Sequence, residues 1–375
     1  MKKKILVVYA RYGSGHKSIA EYVSNYISEH NDYEVKLLDI TPYGNFMGRV
    51  GIKLFDYVTR HRSANLFNFC YELMDNKLST LSHNLVAQKS YNNKRLKKDI
   101  SDFNPDVTIS SHFYGSNIIT YYNSKGITNS KVFTIITDYR AHECWTRNNK
   151  VEDGYIVGNE IVKEELIKRG VSSKKIYPFG LPLNISEINK LDSREEILKR
   201  YNLKGDKDIY LFFGGSTAGS MYYFDYFKAI TKLNINKDII FISGKHEKLK
   251  EKCEEYVLKN NIKNVVVLGF TKDVFNLMKI SSLVISKPGG ATVTECLEMH
   301  KPMILIPGLG GQEKYNARFI AKKKYGVKIN TLWGFKRYIK FLERNFSVVD
   351  KMKDRLDKQD KNMSVEKIND LIRRS

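Results

Sequence analysis

A histidine set directly behind a glycine turn is the first residue of this chain placed to do chemistry. The segment Tyr9-Ala-Arg-Tyr-Gly-Ser-Gly-His-Lys-Ser-Ile-Ala20 follows an apolar run. Gly13 and Gly15 let the backbone turn sharply and come close to a ligand, and Ser18 can start a helix. His16 is thereby lifted to the tip of the turn, where an imidazole can act as a general base near neutral pH. A helix cap or a packing histidine would use the same residue. The Gly-x-x-x-x-Gly-Lys-Ser/Thr spacing and the full Gly-x-Gly-x-x-Gly fingerprint are both missing here. A second polar cluster, Thr137-Asp-Tyr-Arg-Ala-His-Glu-Cys-Trp145, closes another apolar run. Asp138 and His142 stand near enough in sequence to meet, and Trp145 offers an apolar platform for a sugar or lipid. A metal set of Asp138, His142, Glu143 and Cys144 lacks a second ligand cluster. A polar turn with a buried tryptophan is the plainer reading.

The second half carries anion-binding patterns. In Phe212-Phe-Gly-Gly-Ser-Thr-Ala-Gly-Ser220 an apolar run enters a glycine turn. Backbone N–H groups at Gly214 and Gly215, with the hydroxyls of Ser216 and Thr217, would make a cradle for a diphosphate. In Ser286-Lys-Pro-Gly-Gly-Ala-Thr-Val-Thr-Glu295, Gly289 and Gly290 open a helix with Thr292 in its first turn. Glu295, about one turn further in, can accept two hydrogen bonds from a ribose diol. Gly310-Gly-Gln-Glu-Lys-Tyr-Asn-Ala317 follows, where Gln312 and Glu313 open a helix toward sugar hydroxyls and Asn316 stands one turn on. Two ordinary turns with capping polar residues would use the same residues.

The elements that must hold these groups repeat as apolar strand, polar turn and amphipathic helix. Strands are expected at 5–9, 35–38, 107–110, 132–137 and 155–157, then at 209–213, 239–242, 265–268, 283–286 and 303–306. Such alternation means parallel sheets with helices on both faces. The series restarts at Ile209, so two similar domains are expected, with ligands between them at the carboxyl ends of their strands. The expected divisions are 1–180, a linker at 181–207 with a charged helix around Glu195–Tyr201, 208–348, and a helical tail at 349–375 that packs back on the first domain. Between 41 and 102 no strand is expected. That stretch is basic and aromatic, with Arg49, Phe55, Tyr57, Arg60, Arg62 and Phe67, and would suit a lipid interface or ordinary crossover helices.

Bulk properties narrow the partners. The 375 residues suffice for two cores, and a formal charge of +22 favours anionic partners: nucleic acid, lipid headgroups or phosphorylated substrates. No recognised nucleic-acid motif accompanies the charge. Cys70, Cys144, Cys253 and Cys296 are scattered, which fits a reducing cytoplasm better than a disulfide framework. The apolar stretch at the N-terminus stops at Arg11, too short for a signal core, and no run is long enough to span a bilayer. Membrane contact is therefore expected to be peripheral, at the inner face.

These motifs resemble the monogalactosyl- and glucosyl-diacylglycerol synthase family. The resemblance covers nearly the whole chain and is most specific in Lys-Pro-Gly-Gly-x-Thr-x-Thr-Glu and Gln-Glu-Lys-x-Asn-Ala. More distantly, the chain looks like the peptidoglycan enzyme that adds N-acetylglucosamine to an undecaprenyl-linked precursor. The resemblance implies a GT-B fold, two Rossmann-like doubly wound domains facing a cleft. It also implies inversion without a metal or other cofactor, and a UDP-sugar donor held mainly by the C-terminal half. It assigns His16 to acceptor activation, Glu295 to the ribose, Gln312 and Glu313 to the sugar, and Phe270 to the uracil region. The segment 41–73 falls where the family places its acceptor- and membrane-contacting residues, a role to which Trp145 is added. Ser14 replaces a glycine common in the family, and the loop 214–217 also departs from the usual form.

The expected activity is a single displacement in which a lipid hydroxyl attacks the anomeric carbon. Its proton goes to His16, or to Asp138 directly or through His142. Helix N-termini near Ser216 and Gly289 would meet the charge on departing UDP. Asp206-Lys-Asp208, the one Asp-x-Asp considered for a metal, precedes its strand and sits at the wrong edge. Competing expectations are a UDP-sugar epimerase on the same fold and a UDP-sugar sensor without turnover.

Overall fold

The computed structural model describes residues 2–11, 14–45, 71–73, 75–76, 85, 88–89, 92–215, 221–308, 310–359 and 363–375. The chain folds as two compact units, dividing after Leu183, and its last helix returns to the first unit.

The first unit holds six parallel strands: β1 (Lys4–Tyr9), β2 (Glu34–Asp39), β3 (Val107–Ser110), β4 (Lys131–Ile136), β5 (Gly154–Val157) and β6 (Ile176–Tyr177). Their spatial order is β2-β1-β3-β4-β5-β6. Ile5, Leu6, Val7 and Val8 are fully buried, as a strand covered on both faces requires. In the second unit the strands are β7 (Ile209–Phe213), β8 (Asp238–Ile242), β9 (Val265–Leu268), β10 (Leu283–Ser286), β11 (Met303–Leu305) and β12 (Gly326–Lys328). They run parallel in the order β12-β11-β10-β7-β8-β9. The core of this unit is aromatic, with Phe212, Tyr226, Phe227, Phe241 and Phe335 fully buried.

In each sheet the strand order reverses once. The first reversal lies between β1 and β3, the second between β7 and β10. At such a point the loops leaving two adjacent strands diverge to opposite faces and open a crevice at the carboxyl rim. That rim is where His16, Gly214 and Gly289 fall.

Several boundaries differ from the sequence reading. Within 181–207 the expected charged helix runs over Arg194–Arg200; Ser193 and Glu196 form a capping box on it, and it packs on the helix Val274–Ile280 of the second unit. The tail is two helices. Ser347–Leu356 stays with the second unit, while Ser364–Arg374 packs on the helix Ser14–His30 of the first. There Asn31 Nδ2 donates to Asn369 Oδ1 at 2.8 Å, and Lys3 Nζ donates to the Ile372 carbonyl at 2.7 Å. β6 and β12 were not expected; both are short sheet edges with little apolar sequence to announce them. Among the described residues no helix is long and apolar enough to cross a membrane.

The helix Phe113–Ser124 approaches the sheet through Gly115, where a β-carbon would overlap Ser110 Oγ and Val8. Gly115→Ala should therefore push this helix off β1 and β3. The expected loss is about 1–3 kcal/mol of stability, read as a lower denaturant midpoint; an unchanged midpoint would refute the close approach.

Candidate functional site

On the first unit's rim, His16 lies in the first turn of the helix Ser14–His30, beside the loop that leaves β3. Its Nδ1 is 2.7 Å from the Ser111 carbonyl, and Ser111 Oγ returns a hydrogen bond to the His16 carbonyl at 2.8 Å. A carbonyl can only accept, so Nδ1 carries the proton and Nε2 keeps its lone pair. Thr137 Oγ1, at the end of β4, lies 3.3 Å from the same Nδ1. Burial lowers the His16 pKa to about 4, against a smaller opposing effect of the Ser111 carbonyl. The imidazole is thus neutral, and able to take a proton, throughout the physiological range.

An aromatic wall stands around it. The His112 ring meets His16 edge-on at 4.6 Å, Phe113 meets Trp145 edge-on at 5.5 Å, and the Trp145 and His16 rings are 6.4 Å apart. Trp145 is only 4% exposed, so it backs the imidazole from inside rather than offering the open platform expected of it. His112 caps the helix Phe113–Ser124 through Nδ1, which accepts from the Tyr114 N–H.

The structure does not join His142 to Asp138. His142 Nδ1 accepts from the Cys144 N–H at 3.2 Å, and Nε2 pairs with the Tyr71 carbonyl at 2.9 Å. With both nitrogens engaged by backbone, this ring positions a loop and has no free site for a proton relay. Half-buried Asp138 lies close enough to help raise the Tyr71 pKa, after burial, which is the larger cause. Asp75 draws the segment around Tyr71 onto the loop after β4. Its buried carboxylate pairs with Arg140, with Arg169 at 2.9 Å, and accepts the Glu143 N–H at 2.8 Å. Arg169 also binds Glu143 at 2.7 Å. Glu143 is therefore part of an ion network, and among the described residues no cluster of His, Cys, Asp and Glu could hold a metal.

In the second unit, four loops follow the rim in the order β11, β10, β7, β8, with Phe270 beyond β9. Gly214 N–H donates to the Ile242 carbonyl at 2.8 Å, and a side chain there would strike the Phe241 ring. Gly289 is the N-cap of the helix Gly290–Glu298, with Thr292 half-buried in its first turn. Glu295, on the same helix, is half-buried; burial first and the nearby Glu187 second raise its pKa to about 7. Phe270 is 58% exposed, and Lys245 Nζ stands 5.0 Å over its ring. Gly310 and Gly311 take φ of 98° and 55°, a left-handed pair that turns the chain into the helix Gln312–Lys323. Gln312 is half-buried at its start.

Two residues expected at the sugar are differently used. Glu313 is buried and pairs with Lys287 on the loop after β10, and Gly308 leaves room for its carboxylate. Asn316 is fully buried and donates to the Pro288 carbonyl at 3.0 Å. Both pin the β10 loop to the next helix. Asp208 pairs with Lys237 at 2.6 Å at the opposite end of β7 from the rim. Gly13, Arg49, Phe55, Tyr57, Arg60, Arg62, Phe67, Ser216 and Thr217 lie outside the described residues. Sequence reading missed Ser111, His112 and Lys287. The first two follow β3 as His16 follows β1, and strand-end position is the signal that could have found them.

The half-buried, neutral imidazole has a direct readout. In NMR titration the His16 resonance, assigned by its loss in His16→Asn, should show an Nδ1-protonated tautomer and a midpoint near 4. A midpoint near the ordinary 6.5 would overturn the burial. Because the folded value lies below the unfolded one, this group makes stability fall as pH drops from 6.5 toward 4.

Comparison with known proteins agrees with both halves. Residues 16–183 match the monogalactosyldiacylglycerol (MGDG) synthase family, and residues 209–374 match the glycosyltransferase family 28 C-terminal domain. The processive diacylglycerol beta-glucosyltransferase of Bacillus subtilis (strain 168) is 25% identical over 350 residues, covering 88% of this chain and 84% of that protein. Among solved structures, MurG of Acinetobacter baumannii aligns with a TM-score of 0.66 at 14% identity, covering 100% of both chains. MnaA of S. aureus, solved with UDP, aligns at 0.67 and 12% identity, covering 99% of this chain and 96% of that one. The chain thus carries an MGDG synthase domain followed by a glycosyltransferase family 28 C-terminal domain, on the two parallel sheets of a GT-B fold.

Proposed function

We propose that this protein moves a hexose from a UDP-sugar to the hydroxyl of diacylglycerol or a related membrane lipid, with inversion at the anomeric carbon. The observation that carries this reading is the His16 imidazole, neutral, with Nδ1 held by Ser111 and Nε2 open to take a proton. As the lipid oxygen bonds to the anomeric carbon, its proton passes to His16 Nε2. UDP departs with the electron pair of the broken glycosidic bond. Half-buried Asp138, on the loop after β4 of the same rim, offers negative charge to the imidazolium so formed.

The second unit supplies the donor cradle. With the Gly214 N–H spent on the Ile242 carbonyl, the backbone N–H groups from Gly215 onward and at the start of the helix Gly290–Glu298 bind the diphosphate, doing what a metal does elsewhere. Glu295 accepts the ribose hydroxyls, Phe270 lies by the uracil, and Gln312 meets the sugar. Glu313 acts by holding Lys287, and Asn316 by holding the β10 loop. The relatives' names make UDP-glucose the first donor to test, with UDP-galactose beside it.

Incubation of the protein with radiolabelled UDP-sugar and diacylglycerol should carry label into the organic phase, with or without excess chelator. Conversion of the UDP-sugar in the absence of lipid would instead support an epimerase. His16→Ala should lower kcat about 100-fold or more; a variant keeping most of its turnover would remove His16 as the base. Glu295 must be ionised to accept two hydrogen bonds, so donor KM should rise as pH falls below about 7, approaching about tenfold per pH unit. Glu295→Gln should bind donor weakly at every pH and lose this dependence.

A further inference from the structure

We propose that the helix Leu332–Arg344 of the second unit is a docking surface for an anionic lipid bilayer. This surface stands on its own residues, apart from the segment 41–73 and apart from the transferase reading.

The helix has two unlike faces. Phe335, Ile339 and Leu342 are fully buried in the core of the second unit. Outward, Trp333 is 66% exposed and Phe341 is 44% exposed. Lys336, Arg337, Lys340 and Arg344 are exposed around them. Positions 333, 337, 340, 341 and 344 recur at helical spacing, so they form one stripe on the outer surface. Among the described residues none of the four cations has a carboxylate partner. The helix's single acid, Glu343, is occupied by the Asn236 N–H at 3.2 Å.

This chemistry selects its occupant. Two large apolar rings on a water-exposed stripe suit a phase with an apolar interior, and unpaired cations beside them suit an anionic boundary. A helix lying flat at a bilayer surface meets both demands, with the rings at the acyl boundary and the long basic side chains reaching the headgroups. The Arg337 guanidinium lies 4.6 Å over the Trp333 ring, so charge and ring can enter the interface as one unit. Each cation near an anionic leaflet strengthens partitioning about fivefold.

The test uses the full chain and sedimentation with vesicles of mixed phosphatidylglycerol and phosphatidylcholine, against vesicles of phosphatidylcholine alone. The protein should co-sediment with the anionic vesicles and be released by salt. Trp333→Ala with Phe341→Ala should weaken binding about tenfold or more, as should Lys336→Glu with Arg337→Glu and Lys340→Glu. None of the five side chains is among the residues assigned to the donor or the acceptor, so transfer to micellar short-chain diacylglycerol should persist in these variants. As a check that spares the fold, brominated lipids should quench the tryptophan fluorescence of the unmodified protein and not of Trp333→Phe. Wild-type partitioning by both multiple variants, or equal quenching in Trp333→Phe, would overturn the docking surface while leaving the transferase reading intact. Vesicle binding through this helix with no sugar transfer would do the reverse. Tighter, variant-sensitive binding to a short DNA duplex than to vesicles would replace lipid as the occupant.

Discussion

The contact between His16 Nδ1 and the Ser111 carbonyl, 2.7 Å long, joins the first turn after β1 to the loop leaving β3. It exists because these two strands are hydrogen-bonded neighbours in parallel register, Val8 opposite Ser110, so both loops emerge at one rim. The carbonyl settles which nitrogen holds the proton, and the wall of His112, Phe113 and Trp145 withdraws the ring from water. A neutral imidazole whose Nε2 keeps its lone pair follows from those two conditions. The buried ions around Asp75 serve the same arrangement from one layer further out, by fixing the loop that follows Thr137 and Asp138.

The second unit solves a different problem with the same topology. In the proposed donor site its rim must bring several loops together, and loops at a parallel sheet's end tend to splay. Glycine where backbones or side chains approach closely, at Gly214 and Gly308, lets them draw together. Lys287 with Glu313, and Asn316 with the Pro288 carbonyl, then tie the loop after β10 to the helix after β11. Polar residues that look like ligand contacts in a motif are here partly spent on holding the motif's shape.

That distinction marks where the sequence could be read and where it could not. Strands with continuous apolar runs, such as 5–8 and 239–242, are legible because burial on both faces leaves no room for polar alternation. β6 and β12 are not, since two or three residues at a sheet edge carry too little pattern. The placement of His16 at the carboxyl rim needed only its position after a strand and a turn. Its partner Ser111 lies 95 residues away, and nothing local in Ser110-Ser111-His112 names that pairing. His142 shows the opposite error. A histidine four residues from an aspartate suggests a pair, yet the backbone of Tyr71 and Cys144 claims both its nitrogens.

The helix Ser364–Arg374 lies against the helix Ser14–His30, with Lys3 and Asn31 reaching its last turns. The first unit is therefore discontinuous along the chain. A ribosome that has made everything through Leu183 has not yet made the piece that covers the outer face of the helix bearing His16. Completion of that unit must wait for synthesis of the other, and a nascent chain stalled between them would present an uncovered apolar strip to chaperones and proteases.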